Sequence, residues 1–95
     1  MENKLLTIFN TYGKSHQVSK LLEEVGEFIE TVINDDKENM VQEMADCMVM
    51  LKQFQYYYGI TDEEIINNMQ FKIKRQLERI KKGKWEVYMI SGGNW

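Results

Sequence analysis

The sequence predicts an all-α protein, a bundle of about four helices that is completed by homo-oligomerisation. Its 95 residues contain no proline, which would interrupt helices, and seven methionines, whose flexible side chains suit helical packing. Apolar residues recur at steps of three and four along four segments, which is the period of a helix. A chain of this length makes one domain, residues 1–95, with a limited core of its own.

The first two predicted helices are separated by a glycine. The first helix covers Lys4 to Tyr12 and ends at Gly13, because glycine commonly closes a helix. Ser15 is suited to cap the second helix, which continues to the polar run at residues 34–36. Its apolar positions define one side of an amphipathic helix: Val18, Leu21, Leu22, Val25, Phe28, Ile29, Val32 and Ile33.

The third predicted helix is the most apolar one. Asp35 and Glu38 resemble a capping box at its start, and the helix continues to about Tyr58 before Gly59 ends it. Its apolar residues cover more than half of its circumference: Met40, Val41, Met44, Cys47, Met48, Leu51 and Phe54. One neighbouring helix cannot cover such a surface, so we expect a homodimer or homotetramer that buries the Met40, Met44 and Met48 ridge.

The fourth predicted helix begins with a second capping box, formed by Thr61 and Glu64, and ends before Gly83. A narrow apolar stripe follows its length: Ile65, Ile66, Met69, Ile73, Leu77 and Ile80. We expect the tail, residues 84–95, to be either a short extended segment or a frayed end.

Charge and cysteine content limit the partners and the compartment. The net charge of −3 provides no positive field for DNA or RNA, so polymeric nucleic acid is excluded as a partner. No apolar stretch approaches the roughly 18 residues that span a membrane, and no signal peptide pattern opens the chain. The single cysteine, Cys47, allows no intrachain disulfide. We therefore expect a cytoplasmic protein.

Acidic residues cluster on the second and third helices. Glu23, Glu24 and Glu27 share one side of the second helix with Lys20, which taken alone would be an ordinary solvated face. Glu43 and Asp46 are different, because they lie one turn apart on the most apolar helix. Burying acids near a packing surface is costly unless a cation or hydrogen-bond donors compensate for it.

Antiparallel packing of these two helices would bring the acids of both together across a groove. Carboxylate oxygens with no histidine or second cysteine nearby favour Mg²⁺ or Mn²⁺ over zinc. The sequence therefore predicts a magnesium site, for which Mn²⁺ is a substitute.

The same residues carry a family resemblance. The run Lys20-Leu-Leu-Glu-Glu-Val-Gly-Glu27, followed after fifteen residues by Glu43-Met-Ala-Asp46, resembles the E-E-x-x-E and E-x-x-D signature of MazG-like pyrophosphohydrolases. The resemblance extends over about residues 17–85 and agrees with the all-helical prediction.

This resemblance implies an enzyme that binds Mg²⁺ and cleaves a nucleoside triphosphate between its α- and β-phosphates, which releases the monophosphate and pyrophosphate. It implies that Glu24, Glu27, Glu43 and Asp46 are the metal ligands. Glu23 is the implied catalytic residue, which orients or deprotonates the attacking water.

Three basic residues and one asparagine on the fourth helix are candidates for binding the phosphates. Asn68, Lys72, Arg75 and Arg79 lie on one border of its apolar stripe, and guanidinium groups bind phosphate oxygens bidentately. The alternative is a solvated basic face near the helix C-terminus. We expect these four residues, together with Lys20, to bind substrate.

Two other functions remain open at this point. A related phosphoribosyl-ATP pyrophosphohydrolase would use similar helices and acids. A non-catalytic helical interaction module would use the same bundle, with its acids solvated or bound to a structural cation.

Overall fold

The fold is all-α, as predicted. A computed structural model describes residues 1–83, which contain four helices: α1 (Glu2–Tyr12), α2 (Lys14–Ile33), α3 (Lys37–Tyr57) and α4 (Asp62–Lys81). The prediction for the tail, residues 84–95, lies outside the described residues.

The junction of α1 and α2 differs from the prediction. Helix α1 starts two residues earlier than Lys4, and α2 begins at Lys14 with Gly13 at its N-cap position, so the predicted Ser15 cap is wrong. Gly13 has a φ of 88°, a conformation that glycine adopts without steric cost. Its N–H donates to the Phe9 carbonyl and its own carbonyl accepts from Gln17, so this one residue links both helices.

The start of α3 also differs by one residue. Asp36, and not Asp35, is the N-cap, and its carboxylate accepts from the backbone N–H of Asn39. Asp35 has a φ of 52°, which is incompatible with the extended conformation of an N-cap residue, and the predicted box with Glu38 is therefore wrong.

The predicted capping box of α4 is confirmed. The Glu64 N–H donates to the Thr61 hydroxyl at 3.1 Å, and the Thr61 N–H donates to the Glu64 carboxylate at 2.8 Å. Gly59 and Gly83 follow α3 and α4 with positive φ values, as expected for glycines at helix ends.

The first compact unit, Met1–Ile60, contains α1, α2 and α3. Helix α3 packs against both of the others, most extensively against α2. The apolar core of this unit is small. Phe9 is almost fully buried, and the centroid of its ring lies 5.2 Å from that of Phe54 and 4.4 Å from that of Tyr57. Leu5 and Met50 complete the buried apolar set of the described residues. Such a core is limited, as the chain length predicts.

The apolar side of α2 is exposed within this chain. Six of its apolar residues are accessible to solvent: Val18, Leu22, Val25, Ile29, Val32 and Ile33. Helix α3 likewise exposes Val41, Met44, Met48, Val49 and Leu51. The two helices therefore face each other with polar residues and turn much of their apolar surface outward.

A second compact unit begins at Thr61 and contains α4. No residue of α4 is fully buried, and its apolar stripe is exposed except at Ile65, which is half-buried. The prediction that residues 1–95 form one domain stays a prediction. Among residues 1–83, no helix has both the length and the apolar composition to cross a membrane.

Candidate metal centre

Three carboxylates meet where α2 packs against α3. Glu24, Glu27 and Glu43 each place a carboxylate oxygen within 4.8 Å of the others. Glu24 is 6% exposed, and the other two residues are half-buried. The two acids of α2 are close because residues three apart share a helix face, and Glu43 joins them because α3 packs on that face. We call these three residues the carboxylate cluster.

Two oxygens of the carboxylate cluster are buried and have no hydrogen-bond partner. They are Oε2 of Glu24 and Oε2 of Glu43. An unpaired buried acceptor is costly, and the cost is larger for a charged group. A divalent cation would compensate for this cost, and hard oxygen donors at this spacing fit Mg²⁺ or Mn²⁺. The residues present therefore fit the metal that the sequence predicts.

Electrostatic repulsion within the carboxylate cluster raises the pKa of Glu27. The negative charge of Glu24 raises the pKa of the Glu27 carboxyl, and partial burial raises it further. The charge of Glu43, a hydrogen bond to Glu43 and the charge of Glu23 act in the same direction. Glu27 therefore holds its proton more tightly than an isolated glutamate because its neighbours are negative.

Lys20 lies beside the carboxylate cluster. Its ammonium is 3.0 Å from Oε1 of Glu24 and 3.5 Å from Oε1 of Glu23. The hydrogen bond to Glu24 and the charges of Glu23 and Glu24 raise the pKa of Lys20. Glu23 itself is on the exposed edge of the cluster, with 57% of its side chain accessible. Its carboxylate can therefore contact water directly.

Asp46 is exposed and is not a member of the carboxylate cluster. It follows Glu43 by one turn of α3, and its charge acts on the neighbouring half-buried thiol of Cys47. Burial raises the pKa of the Cys47 thiol, and the charges of Glu24, Glu43, Asp46 and Glu27 raise it further. Cys47 is thus inside the negative field of these acids.

A buried amide pair joins α2 to α3. Its member on α2 is Gln17, which lies two turns before Glu24 on the same side of the helix. Gln17 and Gln53 are 2% and 1% exposed, and the Gln17 amide donates to the Gln53 carbonyl at 2.8 Å. The Gln17 carbonyl is 2.8 Å from Nδ1 of His16. The pair was not predicted, because an uncharged glutamine on a helix face gives no sign in the sequence of whether it is buried or solvated. The available signal was the seven-residue spacing from Gln17 to Glu24, which places both on one side of the helix.

The other predicted substrate-binding residues belong to α4, in the second unit. Asn68 and Lys72 are exposed, whereas Arg75 and Arg79 are half-buried. The Asn68 amide donates to the Glu64 carbonyl at 2.8 Å. The Arg75 guanidinium lies 5.6 Å from the centre of the Phe71 ring, and its buried Nε has no hydrogen-bond partner.

Comparison with known proteins relates most of the chain to a protein family. The family model of the MazG nucleotide pyrophosphohydrolase domain matches residues 13–80, which include all three members of the carboxylate cluster. Searches of the curated proteins and of the solved structures found no significant match.

Proposed function

Because this chain belongs to the family of MazG nucleotide pyrophosphohydrolase domains, we propose that it is a Mg²⁺-dependent enzyme that hydrolyses nucleoside triphosphates to the monophosphate and pyrophosphate. The observation that carries this proposal is the carboxylate cluster, with its two buried oxygens that have no protein partner. These oxygens are suitable ligands at a position inside the matched segment.

Glu24, Glu27 and Glu43 would hold the cation, and we assign Asp46 as a further ligand. Asp46 is exposed and lies outside the carboxylate cluster, so its assignment rests on the family signature alone. When bound, Mg²⁺ supplies positive charge to the phosphate oxygens and acidifies a water molecule.

Glu23 is the proposed general base. Its exposed carboxylate has one oxygen beside Lys20, which leaves the other available for water. Glu23 accepts a proton from that water while the water oxygen attacks the α-phosphorus. The bond from the α-phosphorus to the bridging oxygen breaks, and pyrophosphate leaves.

The basic residues supply charge to the triphosphate. Arg75 and Arg79 are assigned to the β- and γ-phosphates because guanidinium groups bind phosphate bidentately. Lys72 contributes a point charge and Asn68 a neutral donor, while Lys20 is the assigned phosphate ligand of the first unit. These contacts would stabilise the negative charge that the leaving pyrophosphate acquires.

We propose a homodimer or homotetramer as the active form. The support is the exposed apolar surface of α2 and α3, on which Leu22 is 71% and Met48 59% exposed. Two copies that pair these faces would complete a four-helix bundle and remove this surface from water. We also propose that residues 1–95 form one domain and act in the cytoplasm, where the single cysteine would stay reduced.

Thermal denaturation tests whether the site serves catalysis. We expect Mg²⁺ to raise the melting temperature, and Mg²⁺ with an α,β-methylene nucleoside triphosphate to raise it further, because each ligand binds the folded state. A response to neither ligand would contradict the proposal. Stabilisation by Mg²⁺ alone, with no added effect of the triphosphate, would indicate a structural cation in a non-catalytic bundle.

A comparison of substrates then separates the two enzymatic functions. We expect ordinary nucleoside triphosphates to be turned over at least as well as phosphoribosyl-ATP. A strong preference for phosphoribosyl-ATP would instead assign the enzyme to that reaction.

A further inference from the structure

Lys20 holds the most buried member of the carboxylate cluster by only one of its two oxygens. The ammonium contacts Oε1 of Glu24 at 3.0 Å, while Oε2 of the same carboxylate is buried without a partner. The Lys20 side chain is 41% exposed and that of Glu24 is 8% exposed. The Lys20 ammonium therefore lies on the solvent side of the buried Glu24 carboxylate.

One ammonium cannot neutralise this site. The carboxylate cluster contributes three carboxylates, and Glu23, which also contacts Lys20, contributes a fourth. A divalent cation at the cluster would supply more positive charge to Glu24 than Lys20 does. It would also repel the nearby ammonium, because like charges a few Å apart interact unfavourably.

The contact between Lys20 and Glu24 is of a kind that exchanges easily. Lysine precedes glutamate by four residues, which is the less favourable order for a helical ion pair. The ammonium is a point charge on a flexible four-carbon stem, and it can turn to a new anion without moving the helix. A triphosphate bound to the divalent cation would place a negatively charged phosphate group beside the Lys20 ammonium.

We propose that Lys20 is an exchangeable counter-ion. Its ammonium pairs with Glu24 before a divalent cation binds, and it then leaves Glu24 and pairs with the triphosphate. This inference rests on the proposed function. It makes Lys20 a competitor of the metal in the first step and a ligand of the phosphates in the second. A lysine that only oriented Glu24 would support metal binding in both steps.

The two roles predict opposite changes in metal affinity when the charge is removed. We would measure Mn²⁺ binding without nucleotide, by electron paramagnetic resonance, for the wild type, Lys20→Met and Lys14→Met. Lys14 is the matched control, since it lies on the same helix and contacts the Tyr58 ring at 5.6 Å. We expect Lys20→Met to bind Mn²⁺ about 3- to 10-fold more tightly and Lys14→Met to change by less than about twofold.

The second measurement tests whether the Lys20 ammonium pairs with the bound triphosphate. With Mn²⁺ saturating, calorimetry of an α,β-methylene nucleoside triphosphate should show about 10-fold weaker binding to Lys20→Met than to the wild type. Lys14→Met should again bind like the wild type. Tighter metal binding combined with weaker triphosphate binding is the signature of the exchange.

Other results would overturn the inference. Weaker or unchanged Mn²⁺ binding by Lys20→Met would show that Lys20 does not compete with the metal, and unchanged triphosphate affinity would show that it does not transfer. In both cases the wild type still binds Mn²⁺, and the proposed function stands. A wild type that binds no Mn²⁺ would overturn the inference and the proposed function together.

Discussion

Glu24 combines burial with a carboxylate oxygen that has no partner, and no other residue of α2 does so. Its Oε2 has no hydrogen-bond partner, and its charge is the largest influence on the pKa of Glu27. The sequence predicted Glu24 and Glu27 as neighbours because helical spacing fixes which side chains share a face, and it added Glu43 and Asp46 on the expectation that α2 and α3 pack antiparallel. It could not predict that Asp46 would be exposed, since side-chain direction depends on how α3 is rotated against α2.

Replacing Glu24 tests the metal centre directly. We expect Glu24→Gln to lower Mg²⁺-dependent turnover by at least about 100-fold, because a ligand of the cation is lost. Metal-free stability should not fall, because repulsion in the cluster is relieved. Glu30→Gln is the control, since Glu30 is exposed on the same helix. Full activity of Glu24→Gln would remove the proposed site.

The raised pKa of Glu27 predicts a pH dependence of metal-free stability. The folded protein holds this proton more tightly than the unfolded chain, so the free energy of unfolding falls as pH rises from the ordinary glutamate pKa of 4.5 through the raised value. Glu27→Gln removes the titrating group. Its melting temperature should match the wild type below this window and exceed it at neutral pH.

Melting curves measured over a pH series with a chelator present check this prediction. Mg²⁺ should close the difference at neutral pH, because it stabilises the ionised wild-type cluster. A Glu27→Gln variant that melts below the wild type at neutral pH without metal would contradict the account of the repulsion.

Among the helices, the positions of the turns were predicted better than the residues that cap the helix after each turn. Thr61 and Glu64 form their predicted box because both residues have the required side chains at the required spacing. The Ser15 cap failed because Gly13 already joins α1 to α2, and the Asp35 cap failed because that residue adopts a left-handed backbone. Local sequence signals place a turn, and backbone conformation decides which residue within it caps the next helix.

The buried amide pair between α2 and α3 is expected to hold the register of these two helices. Gln17→Leu leaves Gln53 without its partner and should destabilise the fold by about 1–3 kcal/mol in chemical denaturation. The double variant with Gln53→Leu should cost less than the sum of the single variants, because the two amides interact. Asn10→Leu, at an exposed position of α1, is the control and should change stability by less than about 0.5 kcal/mol.

The Mn²⁺ affinity of the double variant tests whether the amide pair aligns α2 with α3 or only stabilises the fold. A weaker Mn²⁺ affinity in a stably folded double variant is the expected result, since the cluster needs acids from both helices. Additive costs of the two single substitutions would argue against a coupled pair.

In the molecule as a whole, α3 leaves exposed the apolar face from which the sequence predicts an oligomer, and α2 exposes its apolar side as well. The period of apolar residues correctly predicts both helices, α2 as an amphipathic helix and α3 as the most apolar one. Periodicity does not reveal which surface covers an apolar face, and here the interior of the first unit is occupied partly by Glu24, Gln17 and Gln53. The predicted oligomer would account for the outward direction of the apolar sides.

Light scattering of the purified protein tests the oligomer. We expect the wild type to elute as a dimer or tetramer and Met48→Glu to shift toward monomer, because a symmetric interface would bury the introduced charge twice. Gln42→Glu adds the same charge at an exposed polar position of α3 and should keep the wild-type mass. A monomeric wild type would contradict this assembly.

Hydrolysis between the α- and β-phosphates can be followed by ³¹P NMR of nucleoside triphosphates that are incubated with the protein and Mg²⁺. We expect monophosphate and pyrophosphate to appear together, and we expect a chelator to stop the reaction. Triphosphates that survive at high protein concentration, with Mn²⁺ also tried, would contradict the proposed hydrolysis, as would diphosphate and orthophosphate as the products.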